Sequence, residues 1–389
     1  MKRAIKNIAH RFGIEVSKYK SDIHETGLVS LKPDDRSIGN VLLAYVIDPF
    51  LLKDNERIPS SHTHFWESIQ IAETFLDFGY SVDVISYRNR KFIPKREYTI
   101  FVSARTNFER ITKSLNKDCV GIVHLDTSHW LFNNYASYSR CIALQHRRGA
   151  SLASFKLVEP NRAIECADFA TMLGNSFTIG TYSFANKKIL PVPVPACTTY
   201  QWMEDKDYEF CRSRFIWLGS HGLVHKGLDL TLEAFAEMPD YHLTVCGPVK
   251  ADKDFERTYY KELYETPNIH TVGWIDIERP EFMDVIRNSI GLVYPSCAEG
   301  QSGAVITCLQ AGLIPIISQE SGVDVSDFGL ILRNCSIDEI KGSVRKVSAL
   351  SAEELAMKAR QSWEYARKYH TRENFSKEYK GAIKRIIGI

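Results

Sequence analysis

Hydrophobic and polar positions alternate in blocks along most of the chain. From residue 40, the near-continuous apolar runs NVLLAYVID and YSVDVISY flank HFWESIQIAETFLDFG, whose apolar residues recur at helical spacing. YTIFVSA and CVGIVHLD are predicted strands with a helical FERITKSLN between them, and ADFATMLG and KILPVPVPA complete the series. Strands that are apolar throughout and alternate with helices predict a parallel sheet covered by helices on both faces.

This alternation is interrupted between residues 191 and 213. PVPVPA cannot be helical, because proline lacks the backbone N–H, and MEDKDYEFCRS is polar and charged. The alternation restarts with predicted strands RFIWLGS, YHLTVCGP, IHTVGWI, GLVYPS and LIPIIS, predicted helices LDLTLEAFAEM, FERTYYKELYE, PEFMDVIRNS and AVITCLQAG, and a long helical tail from Ser351. We therefore predict two tandem, Rossmann-like, doubly wound α/β domains, each with a crevice at the carboxyl ends of its strands.

The composition and the cysteine pattern indicate in which cellular environment the protein works. No apolar run approaches the roughly 20 residues that a membrane span needs, and the N-terminal stretch lacks the unbroken apolar core of a secretory signal. The nine cysteines are scattered and form no CxxC pair. We expect reduced thiols, no zinc site and a cytoplasmic protein.

Charge is concentrated at the two ends, although the net charge of the whole chain is only +2. Residues 1–20 carry six Lys/Arg against one Glu, and residues 341–389 carry twelve against five. Such runs are commonly solvated helix faces. The alternative is a basic amphipathic helix on an anionic membrane surface, at the inner face of the membrane. The apolar residues at helical spacing are Ile5, Ile8, Ala9 and Phe12 at one end, and Phe375, Tyr379, Ile383 and Ile386 at the other.

Two glycine-rich loops between a strand and a helix carry the candidate chemistry. LGSHGLVHKGLDL places three glycines around Lys226, and CAEGQSGAV places Gly300 and Gly303 directly before a helix. Glycine lets backbone N–H groups approach an anion closely at the positive end of a helix. Each loop alone is also typical of a tight turn, but together they favour a diphosphate held by amides and one ammonium.

Glu299 begins the second loop. A carboxylate at a strand end is commonly an N-terminal helix charge or half of a surface ion pair. Beside a phosphate site it would repel the ligand's anion, so accepting hydrogen bonds from sugar hydroxyls is its natural use.

With these motifs in order, the C-terminal half resembles the nucleotide-sugar-binding half of GT-B-fold glycosyltransferases of the retaining family-four (glycosyl-transferases group 1) type. The resemblance covers roughly 150 residues. It implies four parts: residues 1–195, an acceptor-side domain; 196–213, a linker; 214–362, the nucleotide-sugar domain; and 363–389, a helix that crosses back to the first domain. The N-terminal half resembles the family only in its alternation of strands and helices.

The resemblance implies roles for individual residues. Lys226 would bind the donor diphosphate, Glu299 would contact the donor sugar, and the backbone amides from Gly300 to Gly303 would hold phosphate. Trp274 and Ile275 would lie against the base. The donor-binding positions are then Ser220, Gly222, Lys226, Trp274, Ile275, Glu299, Gly300, Gln301, Ser302, Gly303 and Thr307.

Two of these positions depart from the family pattern. Thr307 stands where the family has a second acid, usually on the nucleotide ribose. Ser220 stands where the lysine loop usually has an arginine. Both changes weaken the expected grip on the donor; His221 or His225 could compensate, or be ordinary loop histidines.

Candidate residues in the N-terminal half are histidines and one aspartate. HLDTSHW follows a strand, which would point His124, Asp126 and His129 into a cleft. The family often places a histidine here near the donor sugar, so we count His124 with Glu299 and Lys226 as catalytic candidates. His62 and His64, in SSHTHFWES, are acceptor-side candidates with Asp126 and His129, although this stretch could equally cap the helix.

The function implied is sugar transfer from a nucleoside-diphosphate sugar, the co-substrate, to a hydroxyl of a glycan or lipid-linked acceptor. We expect retention, a role in bacterial surface-polysaccharide assembly, no other cofactor, no metal and no nucleic-acid partner. The DKD stretches at 205–207 and 252–254 lie in charged linker or loop sequence, whereas a metal-binding DxD should close a buried strand. The alternatives are a nucleotide-sugar epimerase or hydrolase of the same fold, and a non-catalytic sugar- or nucleotide-binding relative.

Overall fold

The structure is a computed structural model, and it describes residues 23–53 and 56–388. Its described part contains two β-sheets. The strands of the first sheet are β1 (Leu28–Leu31), β2 (Gly39–Tyr45), β3 (Tyr80–Ser86), β4 (Ile100–Ser103), β5 (Val120–Leu125), β6 (Phe169–Leu173) and β7 (Ile189–Val192). Their spatial order is β1-β3-β2-β4-β5-β6-β7. β2 pairs in parallel with β3 and β4, whereas β1 pairs antiparallel with β3 at the edge.

The helices in this part of the chain are α1 (Thr63–Asp77), α2 (Asn107–Thr112), α3 (Trp130–Arg148), α4 (Ala163–Cys166) and α5 (Ser176–Gly180). The first predicted helix is confirmed as α1, and Gly79 follows it with a φ of +86°. The interior strand β2 is buried from Val41 to Tyr45. Burial on both faces is what a continuous apolar run in a parallel sheet requires.

The second sheet contains β8 (Arg214–Leu218), β9 (His242–Cys246), β10 (Ile269–Gly273), β11 (Gly291–Tyr294), β12 (Ile314–Ser318) and β13 (Leu330–Leu332). Their spatial order is β10-β9-β8-β11-β12-β13, with every pairing parallel. The chain builds outwards from β8 in one direction and then from β11 in the other. The point where the strand order reverses, between β8 and β11, is where ligands bind in open sheets of this kind.

The helices that accompany the second sheet are α6 (Tyr208–Cys211), α7 (Leu228–Ala236), α8 (Lys253–Thr258), α9 (Tyr260–Tyr264), α10 (Pro280–Arg287), α11 (Gly303–Gln310), α12 (Ile337–Ser348), α13 (Ala352–Tyr369) and α14 (Arg372–Ile387). The predicted single helix in FERTYYKELYE is divided into α8 and α9. The break is at Tyr259, which is fully buried and donates its hydroxyl to Glu233 at 2.6 Å. The long tail is likewise divided, at His370.

The described residues divide into two compact units. One contains the residues up to Ile58, His64–His124 and Asn161–Ala170; the other contains Pro59–Thr63, Leu125–Pro160 and the residues from Thr171 onwards. The first sheet ends at Val192 and the second begins at Arg214. The four-part division of the chain implied by the family resemblance stays a prediction.

The C-terminal helix α14 corrects one part of the membrane hypothesis. Phe375, Tyr379 and Ile383 are fully buried, so the apolar face of this helix packs inside the protein and cannot lie on a membrane. The corresponding N-terminal pattern, from Ile5 to Phe12, lies outside the described residues. No helix within residues 23–53 and 56–388 has the length and apolar character to cross a membrane.

Candidate functional site

Two loops leave the second sheet at its point of strand reversal. One follows β8 and leads into α7; the other follows β11 and leads into α11. Gly227, with a φ of +74°, lies directly against the second loop, where a Cβ atom would overlap the carbonyl oxygen of Pro295. A hydrogen bond from the Cys297 amide to the His225 carbonyl, at 2.9 Å, joins the loops further. The two loops therefore form one surface; the diphosphate site predicted there stays a prediction.

Glu299 and Lys226 meet on this surface. Lys226 Nζ donates to Glu299 Oε1 at 2.6 Å, and both side chains are largely buried. Tyr294, at the end of β11, accepts from Lys226 Nζ at 2.8 Å and donates to the same carboxylate oxygen at 3.0 Å. Ser296 adds a contact of 3.2 Å. The other oxygen, Oε2, accepts from Lys156 Nζ at 2.9 Å.

The charge states follow from these neighbours. Burial alone would raise the pKa of Glu299, but Lys156 and Lys226 outweigh it and hold that pKa well below its ordinary value. Burial and Glu299 raise the pKa of Tyr294 well above the ordinary value, so the phenol stays neutral. Burial, with Lys156 adding to it, lowers the pKa of His225 to about 3.

His225 has a structural role in the lysine loop. Its Nε2 contacts the carbonyl oxygen of Ala298, which can only accept, so Nε2 carries the proton. Its Nδ1 lies 2.6 Å from Ser137 Oγ, and the same hydroxyl lies 3.0 Å from the Lys156 carbonyl oxygen. The neutral ring is therefore fully engaged, whereas Ser220 and His221 are exposed. Of the two histidines considered as replacements for the family's arginine, His225 is committed to holding the two loops together.

The loop before α11 is fixed mainly by contacts to the backbone. The carbonyl of Gly300 accepts from Thr178 Oγ1 at 2.8 Å, and the side chain of Gln301 accepts from the Val194 amide at 2.7 Å. The Ser302 amide donates to the Ser321 carbonyl at 2.9 Å, so it is already occupied. The amides of residues 303–305 begin α11 and have no intrahelical acceptor. Gly303 itself is half-exposed, so this end of the helix can take an anion.

The remaining donor-side candidates differ in exposure. Thr307 is buried in α11, and its hydroxyl donates to the Gly303 carbonyl at 2.9 Å. Trp274 is 59% exposed after β10, whereas Ile275 beside it is buried. Gly222 has a φ of +84° and lies against the side chain of Lys156. The base and ribose contacts implied for these positions stay predictions.

The first compact unit contains its own polar cluster. Glu67 is fully buried and accepts from His64 Nδ1 at 2.6 Å and from the Tyr45 hydroxyl at 3.1 Å. Tyr45 also contacts His64 directly. His124 is buried and packs edge-on against the Tyr45 ring. Two of the histidines singled out in the sequence thus lie together, whereas His62 is exposed.

Asp126 and His129 belong to the other unit, which contains the Glu299 site. Asp126 is half-buried. His129 precedes α3; its amide donates to Thr181 Oγ1 at 3.0 Å and its ring packs against Tyr182 and Phe184. The His129 ring is therefore packed between aromatic side chains, and its role on the acceptor side stays a prediction.

Three site residues were missed in the sequence. Tyr294 and Ser296 stand within the YPSCAEG motif, and their position at the end of an apolar strand could have suggested them. Lys156 lies in an irregular segment between α3 and α4, roughly 70 residues before the lysine loop. No local pattern marks it, because it reaches the site only through the tertiary fold.

Comparisons with known proteins identify the fold. No protein-family model matches the sequence, and no curated protein matches it. Sucrose-phosphate synthase from Thermosynechococcus elongatus is similar over 91% of this chain and 100% of that one, with a TM-score of 0.61 and 13% identity. HepE from Anabaena, solved with UDP and glucose, is similar over 89% of this chain and 100% of that one, with a TM-score of 0.55 and 9% identity.

TarM from S. aureus, solved in complex with UDP, gives a third likeness. It covers 75% of this chain but only 56% of TarM, with a TM-score of 0.52 and 11% identity. The chain thus spans little more than half the length of that relative. These proteins share the two-sheet GT-B architecture, and the predicted fold class is confirmed: the chain has the GT-B fold.

Proposed function

We propose that this protein is a glycosyltransferase, which moves a sugar from a nucleoside-diphosphate sugar to a hydroxyl of a glycan or lipid-linked acceptor. The observation that carries the proposal is the buried Lys226–Glu299 pair at the strand reversal of the second sheet, beside the amino end of α11. A cation, free helix amides and a carboxylate on one surface suit a ligand with phosphates and sugar hydroxyls.

The residues fit the electrostatics of this transfer. The bond from the sugar's anomeric carbon to the diphosphate oxygen breaks, and a bond to the acceptor oxygen forms. Negative charge grows on the departing diphosphate, where Lys226 and the first amides of α11 would stabilise it. We propose retention, with the acceptor's proton passing to the leaving phosphate oxygen, so that no protein base is required.

The donor and the biological role are narrower parts of the same proposal. HepE and TarM were solved with UDP, and WaaB, a lipopolysaccharide outer core galactosyltransferase, has a TM-score of 0.52 to this chain. We therefore propose a UDP-sugar as the first donor to test, and assembly of a bacterial surface polysaccharide on the cytoplasmic side as the setting. We also propose that no metal is needed, because Lys226 and Lys156 already supply positive charge.

The test is incubation of the protein with a panel of nucleotide sugars, with and without glycan and lipid-linked acceptors. A glycosyltransferase forms product and nucleoside diphosphate only when an acceptor is present, and keeps its rate in excess EDTA. Free sugar or an isomer without an acceptor would instead identify a hydrolase or epimerase. Binding without turnover would identify a non-catalytic relative, and product of inverted configuration would refute retention.

An exposed apolar stripe on α3 supports a membrane-proximal acceptor. Leu131, Tyr135, Tyr138 and Ile142 recur along one face of the helix and are exposed, and the exposed ring of Phe155 packs against Tyr138. No Asp or Glu occurs between residues 126 and 159. Tyrosines with aliphatic residues, free of carboxylates, suit the headgroup region of an anionic bilayer.

We expect the double variant Tyr135→Ser, Ile142→Ser to bind phosphatidylglycerol-containing vesicles at least about tenfold more weakly than the wild type, because each side chain loses its apolar contact with lipid. Sedimentation with vesicles measures this. The matched control is Tyr260→Ser, Met357→Ser, which removes exposed apolar side chains elsewhere. An equal loss in the control, or no vesicle binding by the wild type at low salt, would refute the membrane proposal.

A further inference from the structure

The cluster around Glu299 contains two lysine side chains and one carboxylate; burial lowers the pKa of Lys156, and the charge of Glu299 opposes that shift. Lys226 and Lys156 each donate to one oxygen of the single carboxylate, at 2.6 and 2.9 Å. Tyr294 and His225, the other titratable groups in contact, are neutral. Buried and half-buried charges in proteins are normally balanced, since desolvation of an unpaired ion is costly. A partly enclosed cluster with two lysines for one carboxylate is therefore suited to an anion from outside the protein.

Lys156 is held in place by contacts that do not involve its charge. Asn133, on the buried face of α3, donates to the Lys156 carbonyl at 3.1 Å. Asn134 accepts from the Val158 amide at 2.8 Å and donates to its carbonyl at 2.9 Å. These bonds fix the backbone of an otherwise irregular segment, so the lysine is presented to the site by α3.

The lysine loop leaves room for this side chain. Gly222 lies so close to Lys156 that an added Cβ would approach the lysine Cβ at 3.0 Å, and its φ of +84° disfavours any other residue. Ser220, two residues earlier, is exposed and carries no charge. The loop thus supplies one cation, Lys226, together with a gap that the stem of a second lysine fills.

We propose that Lys156 is a second diphosphate-binding residue, which supplies from the α3–α4 segment the positive charge that Ser220 does not provide. This proposal rests on the donor site proposed above. The long lysine stem lets Nζ move from Glu299 Oε2 to a phosphate oxygen when the donor binds. That move frees Oε2, whose one contact among the described residues is Lys156, to accept a hydrogen bond from the donor sugar.

The experiment compares nucleoside diphosphates with their nucleosides by isothermal titration calorimetry. The probes are UDP, GDP and ADP, with uridine, guanosine and adenosine. Lys156→Met keeps the apolar stem and removes the charge, Lys156→Gln is a second neutral variant, and Lys156→Arg keeps the charge. Lys253→Met, at an exposed lysine paired with Glu256, is the matched control. Thermal unfolding checks that each variant folds.

We expect both neutral variants to bind the preferred diphosphate about tenfold or more weakly, as for loss of a charge-assisted contact. Binding of the corresponding nucleoside should be unchanged, and Lys156→Arg should retain most of the diphosphate affinity. A merely structural lysine would weaken both probes alike, and that result would overturn the proposal. Diphosphate binding that Lys226→Met abolishes but Lys156→Met leaves intact would also overturn it, while the donor site stands. A wild type that binds none of the diphosphates would refute the donor site and this inference together.

Discussion

At the scale of single residues, the site depends on one shared carboxylate. Glu299 is surrounded by donors, and its ionised form is favoured because two ammonium groups outweigh the cost of burial. Thr307 differs, because its hydroxyl proton is used within α11 on the Gly303 carbonyl. It can therefore only accept a hydrogen bond from a ribose hydroxyl, whereas a carboxylate at this position could accept from two.

Glu299→Gln should weaken binding of the donor sugar and slow turnover strongly, whereas Thr307→Ala should change both by less than about tenfold. The reason is that hydrogen bonds to a charged group contribute about 1.5–3 kcal/mol against about 1 for a neutral pair. Donor affinity and steady-state rates of folded variants measure the difference. Equal losses at both positions would mean that Thr307 carries the full ribose contact, and no loss at either would refute the site.

At the scale of elements, the two loops depend on backbone shape more than on side-chain identity. Two independent features require glycine at position 227. Its φ of +74° disfavours a residue with a Cβ, and the Pro295 carbonyl leaves no room for one. Gly149 has the first constraint alone: it ends α3 with a φ of +64° and open space around it. Substituting each of these two glycines with alanine therefore separates the cost of a left-handed backbone from the cost of displacing the neighbouring loop.

Gly149→Ala should lower the free energy of unfolding by about 1–2 kcal/mol, the cost of a left-handed conformation for a residue with a Cβ. Gly227→Ala should cost more and should also weaken donor binding, because the Glu299 loop must move. Thermal unfolding and donor titration of both variants test this. The expectation fails if the two substitutions have the same effect on stability and neither alters donor affinity.

The elements that were predictable are those whose burial leaves a simple pattern. β11 is buried throughout and β2 from Val41 to Tyr45, so both strands appear in the sequence as continuous apolar runs. The glycine-rich loops marked Lys226 and Glu299. α3 was missed because its pattern is inverted: Asn133 and Ser137 are buried while its tyrosines are exposed. β1 is a four-residue edge strand in which exposed and half-buried positions alternate, and it is too short for periodicity to reveal. Lys156 was missed because its role depends on contacts distant in sequence.

At the scale of the whole molecule, buried histidines link stability to pH. His370, between α13 and α14, contacts the Val194 carbonyl through Nδ1 at 2.9 Å, and its Nε2 is buried with no partner among the described residues. Burial lowers its pKa to about 4, as it lowers that of His225 to about 3. Unfolded histidines take up a proton near pH 6.5. The unfolded chain therefore binds more protons below that pH, and stability falls as the pH drops.

We expect the thermal midpoint to fall between pH 7 and pH 5, and to fall less in His370→Asn. The asparagine amide can still donate to the Val194 carbonyl but does not titrate. The contribution of one such histidine approaches about 1.4 kcal/mol per pH unit between its two pKa values. Comparing variant with wild type isolates His370 from the other groups that titrate in this window. Parallel pH profiles would show that His370 is not responsible.

The position of Lys156 has an evolutionary consequence. Selection for diphosphate binding acts on a charge at a place in space, not on a position in the sequence, so the charge can move between segments that meet there. Homologues with a neutral residue at position 156 should then carry an arginine or lysine in the loop corresponding to residues 219–222. Homologues with both cations should be rare, because the two oxygens of Glu299 already accept from Lys226 and Lys156, and a third buried cation would have no carboxylate oxygen left to pair with. Position 156 and residues 219–222 would then covary among homologues, because either segment can supply the same positive charge.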